Sequence, residues 1–237
     1  MFYAIASLLV RGLMKLITKL EVYGLENVPL EGPLLVVANH VHFADPPLLG
    51  AVLPRKVIFM AKSELFRTLF IGLIVRAYEA FAVRRGEGDT RAIRRAVKVL
   101  SKGGALGMFP EGTRSRNGQL QPGRPGAAMI ALRTGATILP VGISGTRTFL
   151  QWPRVLGRPR VIVRIGRPFR ASPTSTSREE QDQLTEVIMR EIAALLPSDQ
   201  RGAYGDTTTA GEPLTPPAVR ITRRRPARAR APRRSEI

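Results

Sequence analysis

Cysteine is absent from this 237-residue chain and histidine occurs only twice. Without thiols there is no disulfide scaffold, no thiol nucleophile and no cysteine-based metal site. Two histidines exclude a multi-histidine metal centre. Long hydrophobic runs are missing as well. The uncharged run at the start ends at Arg11, and Arg67 and Arg76 bracket a second run of eight residues. Neither approaches the roughly 20 apolar residues that a bilayer core of ~30 Å requires. A secretory signal fits poorly, because the positive charges follow the first run instead of preceding it. Acidic residues are scarce, 18 Asp and Glu against 37 Lys and Arg.

The resulting net charge is +19. Such a chain seeks polyanions: nucleic acid, anionic lipid headgroups or phosphorylated substrates. The segment from Arg220 to Ile237 holds eight Arg and one Glu, a net +7, which leaves +12 on the other 219 residues. Hydrophobic residues are 44% of the chain, enough for a folded core. The length suits one domain with an appendage.

Residues 1–20 read as an amphipathic helix. Ser7, Arg11, Lys15 and Lys19 recur every four residues and predict one polar, cationic stripe, with Leu8, Leu9, Leu13, Leu16, Ile17 and Leu20 filling much of the rest. That pattern fits a helix in a membrane interface facing anionic headgroups. It also fits an ordinary helix docked on a core. The apolar stretch Leu65 to Tyr78 has the same two readings. At the other end, Ser177-Arg178-Glu179-Glu180 matches a capping box. It opens a helix carrying Leu184, Val187, Ile188, Ile192, Leu195 and Leu196, which Pro197 stops. Residues 199–237 have too few apolar side chains to fold and read as a disordered Arg/Pro-rich tail.

Between the ends, strands are expected near Leu34–Ala38, Val57–Met60, Ala80–Val83, Ala105–Phe109, Ile138–Ile143 and Val161–Ile165. Helices are expected near Pro46–Leu53, Leu65–Val75, Thr90–Ser101 and Pro125–Arg133, with Asp89 capping the third and Gly103 ending it. The alternation predicts an α/β fold with a mostly parallel central sheet flanked by helices, spanning residues 21–198.

Two loops carry the chemistry. Asn39-His40-Val41-His42-Phe43-Ala44-Asp45 follows a buried-strand pattern and holds both histidines. Pro46 and Pro47 suit a helix start, so Asp45 at its cap could meet His40, orient the imidazole and leave a ring nitrogen free as a general base. A purely structural bond between a loop His and an N-terminal Asp would leave the same trace. With no Cys and no G-x-S-x-G, a substrate group is the expected nucleophile. The second loop is Phe109-Pro110-Glu111-Gly112-Thr113-Arg114-Ser115-Arg116. Gly112 frees the backbone, Thr113 and Ser115 offer hydroxyls, and Arg114 and Arg116 offer planar forks suited to phosphate. A plain polar turn would fit too.

Taken together and in this order, the two blocks resemble the glycerolipid acyltransferases, specifically the 1-acyl-sn-glycerol-3-phosphate acyltransferases. Phe81-Ala82-Val83-Arg84-Arg85-Gly86 and Ile138-Leu139-Pro140-Val141-Gly142 are similar to two weaker blocks of that family, and the resemblance runs from about Val22 to Ile165. It implies that His40 and Asp45 are catalytic. It implies that Arg84, Glu111, Gly112, Thr113 and Arg114 form the substrate-phosphate region, and that Pro140 and Val141 lie near the acyl donor. The implied reaction moves an acyl group from a coenzyme A or acyl-carrier-protein thioester to the sn-2 hydroxyl of 1-acyl-sn-glycerol 3-phosphate, giving phosphatidic acid. No metal or redox cofactor is implied. The implied setting is peripheral or monotopic, on the cytoplasmic face of the cell membrane, with its anionic surface as partner. Two departures from the family pattern stand out: His42 replaces a frequent Ser, and Glu79 replaces a usual Gly. Another lysolipid acceptor, or an acylated amino-acid lipid, would suit the same fold. Nucleic-acid binding would suit the charge, but aromatics are 6% and no nucleic-acid-binding signature is present.

Overall fold

The computed structural model describes residues 2–83, 89–172, 176–205 and 220–223. The implied phosphate ligand Arg84 and most of the expected disordered tail lie outside them.

Helix α1 (Phe2–Ile17) leads into β1 (Lys19–Tyr23), β2 (Leu34–Ala38), α2 (Asp45–Val52), β3 (Val57–Lys62), α3 (Leu69–Ala77) and β4 (Phe81–Val83). Then come α4 (Thr90–Ser101), β5 (Ala105–Met108), α5 (Gly126–Thr134), β6 (Thr137–Ser144), β7 (Arg160–Ile165), β8 (Phe169–Ser172), α6 (Arg178–Ala194) and β9 (Arg220–Arg223). The sheet runs β1-β7-β6-β2-β5-β3-β4, and β8 pairs with β6 and β9. Pairings from β6 through β2, β5 and β3 to β4 are parallel, as is β1 with β7, while β7, β8 and β9 join antiparallel. The expected mostly parallel α/β sheet is therefore present.

Alternation along β2 builds two cores. Leu35 and Val37 face α4, α5 and α6, packing with Leu100, Ile130, Leu184 and Ile188. Leu34, Val36 and Ala38 face the other way, with Leu48, Leu49 and Met14. Strands buried on both faces need near-continuous apolar runs, as the five buried residues of β2 show. The caps follow the sequence. Asp89 accepts from the amides of Arg91 and Ala92, and Ser177 Oγ accepts from Glu180 N at 3.2 Å. Gly103, at φ 74°, follows α4 in a conformation that favours glycine.

Three expectations need correction. The polar stripe of α1 is split: Ser7 turns inward and donates to Gly50 O at 3.2 Å, while Arg11 and Lys15 stay exposed and Lys19 belongs to β1. Leu65–Val75 is not one helix but a 3-10 turn over Ser63–Arg67 followed by α3. Finally, the folded body runs past residue 198. Leu120 N donates to Gln200 O at 2.8 Å, and Gly123 N to Tyr204 Oη at 3.3 Å. Within the tail, Arg220–Arg223 adds a short strand to β8, its β-branched Ile221 and Thr222 suiting a ladder.

Helix α1 docks through a mixed face, with Val10, Met14 and Ile17 on the core and the Tyr3 and Ser7 hydroxyls on α2. Tyr3 Oη donates to Gly50 O and accepts from Val57 N at 3.0 Å, and Met14 reaches the core. Close approach depends on Gly50. A Cβ there would sit 2.3 Å from Tyr78 Cε1 and 3.2 Å from Tyr3 Oη. Gly50→Ala is expected to destabilise the protein by about 1–3 kcal/mol through overpacking. A denaturant titration checks this, and an unchanged midpoint would mean that Tyr78 moves aside freely.

Candidate active site

Strands β2 and β5 are parallel neighbours, so their carboxyl ends point the same way, and each ends in one of the two loops singled out above. Residues 65 or more apart in sequence thus meet. His40 N donates to Glu111 Oε1 at 2.6 Å, and Ser115 N donates to His40 O at 2.7 Å. Asn39 clamps the same turn to β6, donating to Ile143 O at 2.9 Å and accepting from Ile143 N at 2.7 Å.

Asp45 is the first residue of α2 and not its N-cap, which is Ala44. Its Oδ2 accepts three bonds: from His40 Nδ1 at 2.9 Å, Val41 N at 2.8 Å and His42 N at 2.7 Å. Both residues are buried, Asp45 completely. A carboxylate oxygen that already takes two amide protons fixes the imidazole proton on Nδ1 and leaves Nε2 as the basic nitrogen. The ring is stacked on Phe109, 4.2 Å between centroids, so it cannot swing away from Asp45 without losing that contact.

His40 opens into a cavity of about 380 Å³. Its lining is mostly apolar: Val10 and Met14 of α1, Phe59 of β3, Ile71 and Val75 of α3, and Phe149 among others. The polar exceptions include His40, Lys62 and Arg114. Lys62 ends β3, pairs with Glu64 at 3.0 Å and was not signalled by any motif. Arg124, likewise unsignalled, lies against the Gly112 turn: a Cβ on Gly112, at φ 69°, would be 2.8 Å from Arg124 Cδ.

The other expected site residues divide. Arg114 shares the cavity with His40, while Thr113 is exposed on the same loop and Gly112 makes its turn, donating to Phe109 O at 2.9 Å. Glu111 does not line the cavity. It is buried, and its oxygens are occupied by His40 N and, at 2.9 Å, Gln121 N. Pro140 and Val141 are buried in the middle of β6 and do not line the cavity. Pro140 O accepts from Gly166 N at 2.9 Å, at the break where pairing with β7 gives way to β8, so its missing N–H falls at a gap in the ladder. His42 accepts from Ala44 N through Nδ1 at 3.2 Å and meets Phe43 and Phe149 with its ring. Desolvation lowers its pKa, opposed by the charge of Asp45. Glu79, at φ 52°, makes an exposed pair with Lys56.

The Acyltransferase family model matches residues 19–144, just over half of the chain. A 1-acyl-sn-glycerol-3-phosphate acyltransferase of Borreliella burgdorferi is 32% identical over 133 residues, 55% of this chain and 53% of that one. A lyso-ornithine lipid O-acyltransferase of Pseudomonas aeruginosa is 37% identical over 116 residues, 48% of this chain and 44% of that one. The chain thus spans about half the length of these relatives. Among solved structures, the 1-acyl-sn-glycerophosphate acyltransferase PlsC of Thermotoga maritima superposes with a TM-score of 0.65 at 27% identity, covering 81% of this chain and 78% of that one.

Burial pushes the Glu111 carboxyl up from 4.5 to about 7, a rise opposed by its two amide donors and aided by the Asp45 charge. A raised folded-state pKa means that the folded protein holds a proton the unfolded chain releases. The associated stability is full below about 4.5 and is lost as pH rises through about 7. Unfolding titrations between these limits are expected to show a fall in stability with pH that Glu111→Gln lacks. Parallel profiles for the two proteins would mean that Glu111 titrates normally.

Proposed function

The chain belongs to the acyltransferase family, and from that premise we propose that it moves an acyl group from a thioester to the sn-2 hydroxyl of 1-acyl-sn-glycerol 3-phosphate, forming phosphatidic acid. The observation that carries this reading is the His40–Asp45 pair opening into an apolar cavity that also holds the Arg114 fork. The acceptor hydroxyl gives its proton to His40 Nε2, and the oxygen attacks the thioester carbonyl. Asp45 Oδ2 stabilises the imidazolium that forms. The tetrahedral adduct then expels the thiolate, which takes the proton from Nε2. Arg114 holds the acceptor phosphate and so positions the hydroxyl. Lys62 adds a second cation on the same cavity wall.

The reaction takes place at a bilayer surface in this reading. Among the described residues no helix is long and apolar enough to cross a membrane. Helix α1 instead divides its faces: Tyr3, Ser7 and Met14 face the protein, while Phe2, Ile5, Leu8, Leu9, Leu13 and Leu16 are exposed, with Arg11 and Lys15 beside them. That division suits a helix lying in an anionic interface, one face on the protein and one in lipid. The second acceptor class, a lysolipid built on an amino acid, draws support from the Pseudomonas relative.

Thiol release by the purified protein with a panel of lysolipids tests the assignment. Lysophosphatidic acid is expected to be the preferred acceptor, and a preference for lyso-ornithine lipid would shift the assignment to the second class. His40→Ala is expected to lower turnover by ~10²–10⁴, with Asp45→Asn close behind. Arg114→Ala is expected to raise the acceptor KM more than it lowers kcat. A change confined to the donor KM would move Arg114 out of the phosphate site.

A further inference from the structure

The cavity opens through a rim contributed by four separate elements. Leu13 of α1, Phe43 of the β2–α2 turn, Ile74 of α3 and Leu150 after β6 each line it and are each exposed. The last of these belongs to a loop, residues 145–159, that no motif explains. Beyond Leu150 the loop presents Trp152, 76% exposed, and Leu156, 68% exposed. Trp152 is the only tryptophan of the chain. A large aromatic left in water on a loop that also bears two exposed leucines is costly unless something covers it.

The loop is held at both ends. Arg147 donates to Asn117 O at 2.7 Å and Arg116 O at 3.1 Å. Phe149 is buried and makes an edge contact with the His42 ring at 5.1 Å. Arg158 Nη2 donates to Lys15 O at 2.6 Å, at the carboxyl end of α1. The apolar side chains are therefore displayed from a tied strap next to α1, on the rim of the cavity. The loop's own charged residues, Arg147, Arg154 and Arg158, are all basic. No Asp or Glu occurs between Glu111 and Glu179, a stretch that carries twelve Arg, and none occurs before Glu21.

We propose that this loop is a second membrane-contact element: Trp152 and Leu156 insert among the headgroups of an anionic bilayer beside α1, so that lipid reaches the cavity past the Leu13 and Leu150 rim. The amphipathic ring of tryptophan is suited to that depth, and the net positive charge of the segment favours a negative surface. The inference rests on the reading that the enzyme works at a bilayer, and its test separates the two.

Because Trp152 is alone, its fluorescence reports on the loop directly. The full chain is mixed with phosphatidylcholine vesicles containing phosphatidylglycerol, some prepared with lipids brominated along the acyl chain, and the same samples are sedimented. The expected result is co-sedimentation with a blue-shifted emission that brominated lipid quenches. Trp152→Ser combined with Leu156→Ser is expected to raise the lipid concentration for half-maximal sedimentation about tenfold. Co-sedimentation with an emission unchanged from the lipid-free protein would overturn the loop's role and leave the bilayer reading standing. Failure to sediment would overturn both. A blue shift that grows with protein concentration without vesicles would put a second copy of the chain on the patch and overturn the proposal.

Discussion

The peptide unit of His40 is gripped from both sides. Its N–H is taken by the buried Glu111 carboxyl group and its carbonyl by the amide of Ser115. Those two bonds stitch the turn after β2 to the turn after β5, and the Asn39 clamp on Ile143 adds β6. Three strand ends thereby fix one backbone position, and the imidazole above it needs only Asp45 and the Phe109 face to complete its orientation. Catalysis by a base depends on holding it within a few tenths of an ångström of the proton it removes. Here the placement of the His40 backbone comes from the sheet, through the Glu111, Ser115 and Asn39 bonds. Glu111 positions the His40 backbone and does not line the cavity.

The same economy governs the apolar surface. Two cores lie on either side of the sheet, one covered by α4, α5 and α6, the other by α2 and α1. The second cover is incomplete. Between α1, α3 and the loop after β6 it leaves the cavity that His40 opens into, and the rim of that cavity is exposed and apolar. In a protein that lived wholly in water such a rim would cost stability. In the proposed function, at a bilayer surface, it is the route by which acyl chains would reach His40. Under the same proposal the prevalence of Arg over acidic residues suits an anionic surface and a phosphate ligand, without calling on nucleic acid.

Much of this was legible in the chain. β2 and α4 stand at their expected limits because a continuous apolar run and an Asp cap leave little choice. The His40–Asp45 contact follows from a five-residue separation across a turn into a proline-led helix. What was not legible depended on long-range packing. β1 was missed because its alternation is short and its partner β7 lies about 140 residues away. Ser7 reads as part of a solvated stripe until Gly50 is seen to receive it. Glu111 sits in a loop of hydroxyls and arginines and reads as a polar ligand-facing group, whereas burial turns it into a strut. Pro140 and Val141 have the composition of a site wall but the position of a central strand. Lys62 carries no motif at all and becomes visible only when β3 is placed beside β5.

The proposed reaction turns on one proton: Asp45 keeps it on Nδ1 of His40 and leaves Nε2 free. The two histidines of the chain bond in opposite senses, since His42 Nδ1 accepts from Ala44 N and so carries its proton on Nε2. A long-range ¹H–¹⁵N spectrum of histidine-labelled protein, recorded where both rings are neutral, distinguishes the two tautomers. The expected spectrum shows one ring of each kind, with the Nδ1–H signal absent from His40→Ala and shifted toward the mixed tautomer in Asp45→Asn. An Nε2–H tautomer at His40 in the unmodified protein would contradict it, because the nitrogen facing the substrate would then have no lone pair to accept a proton.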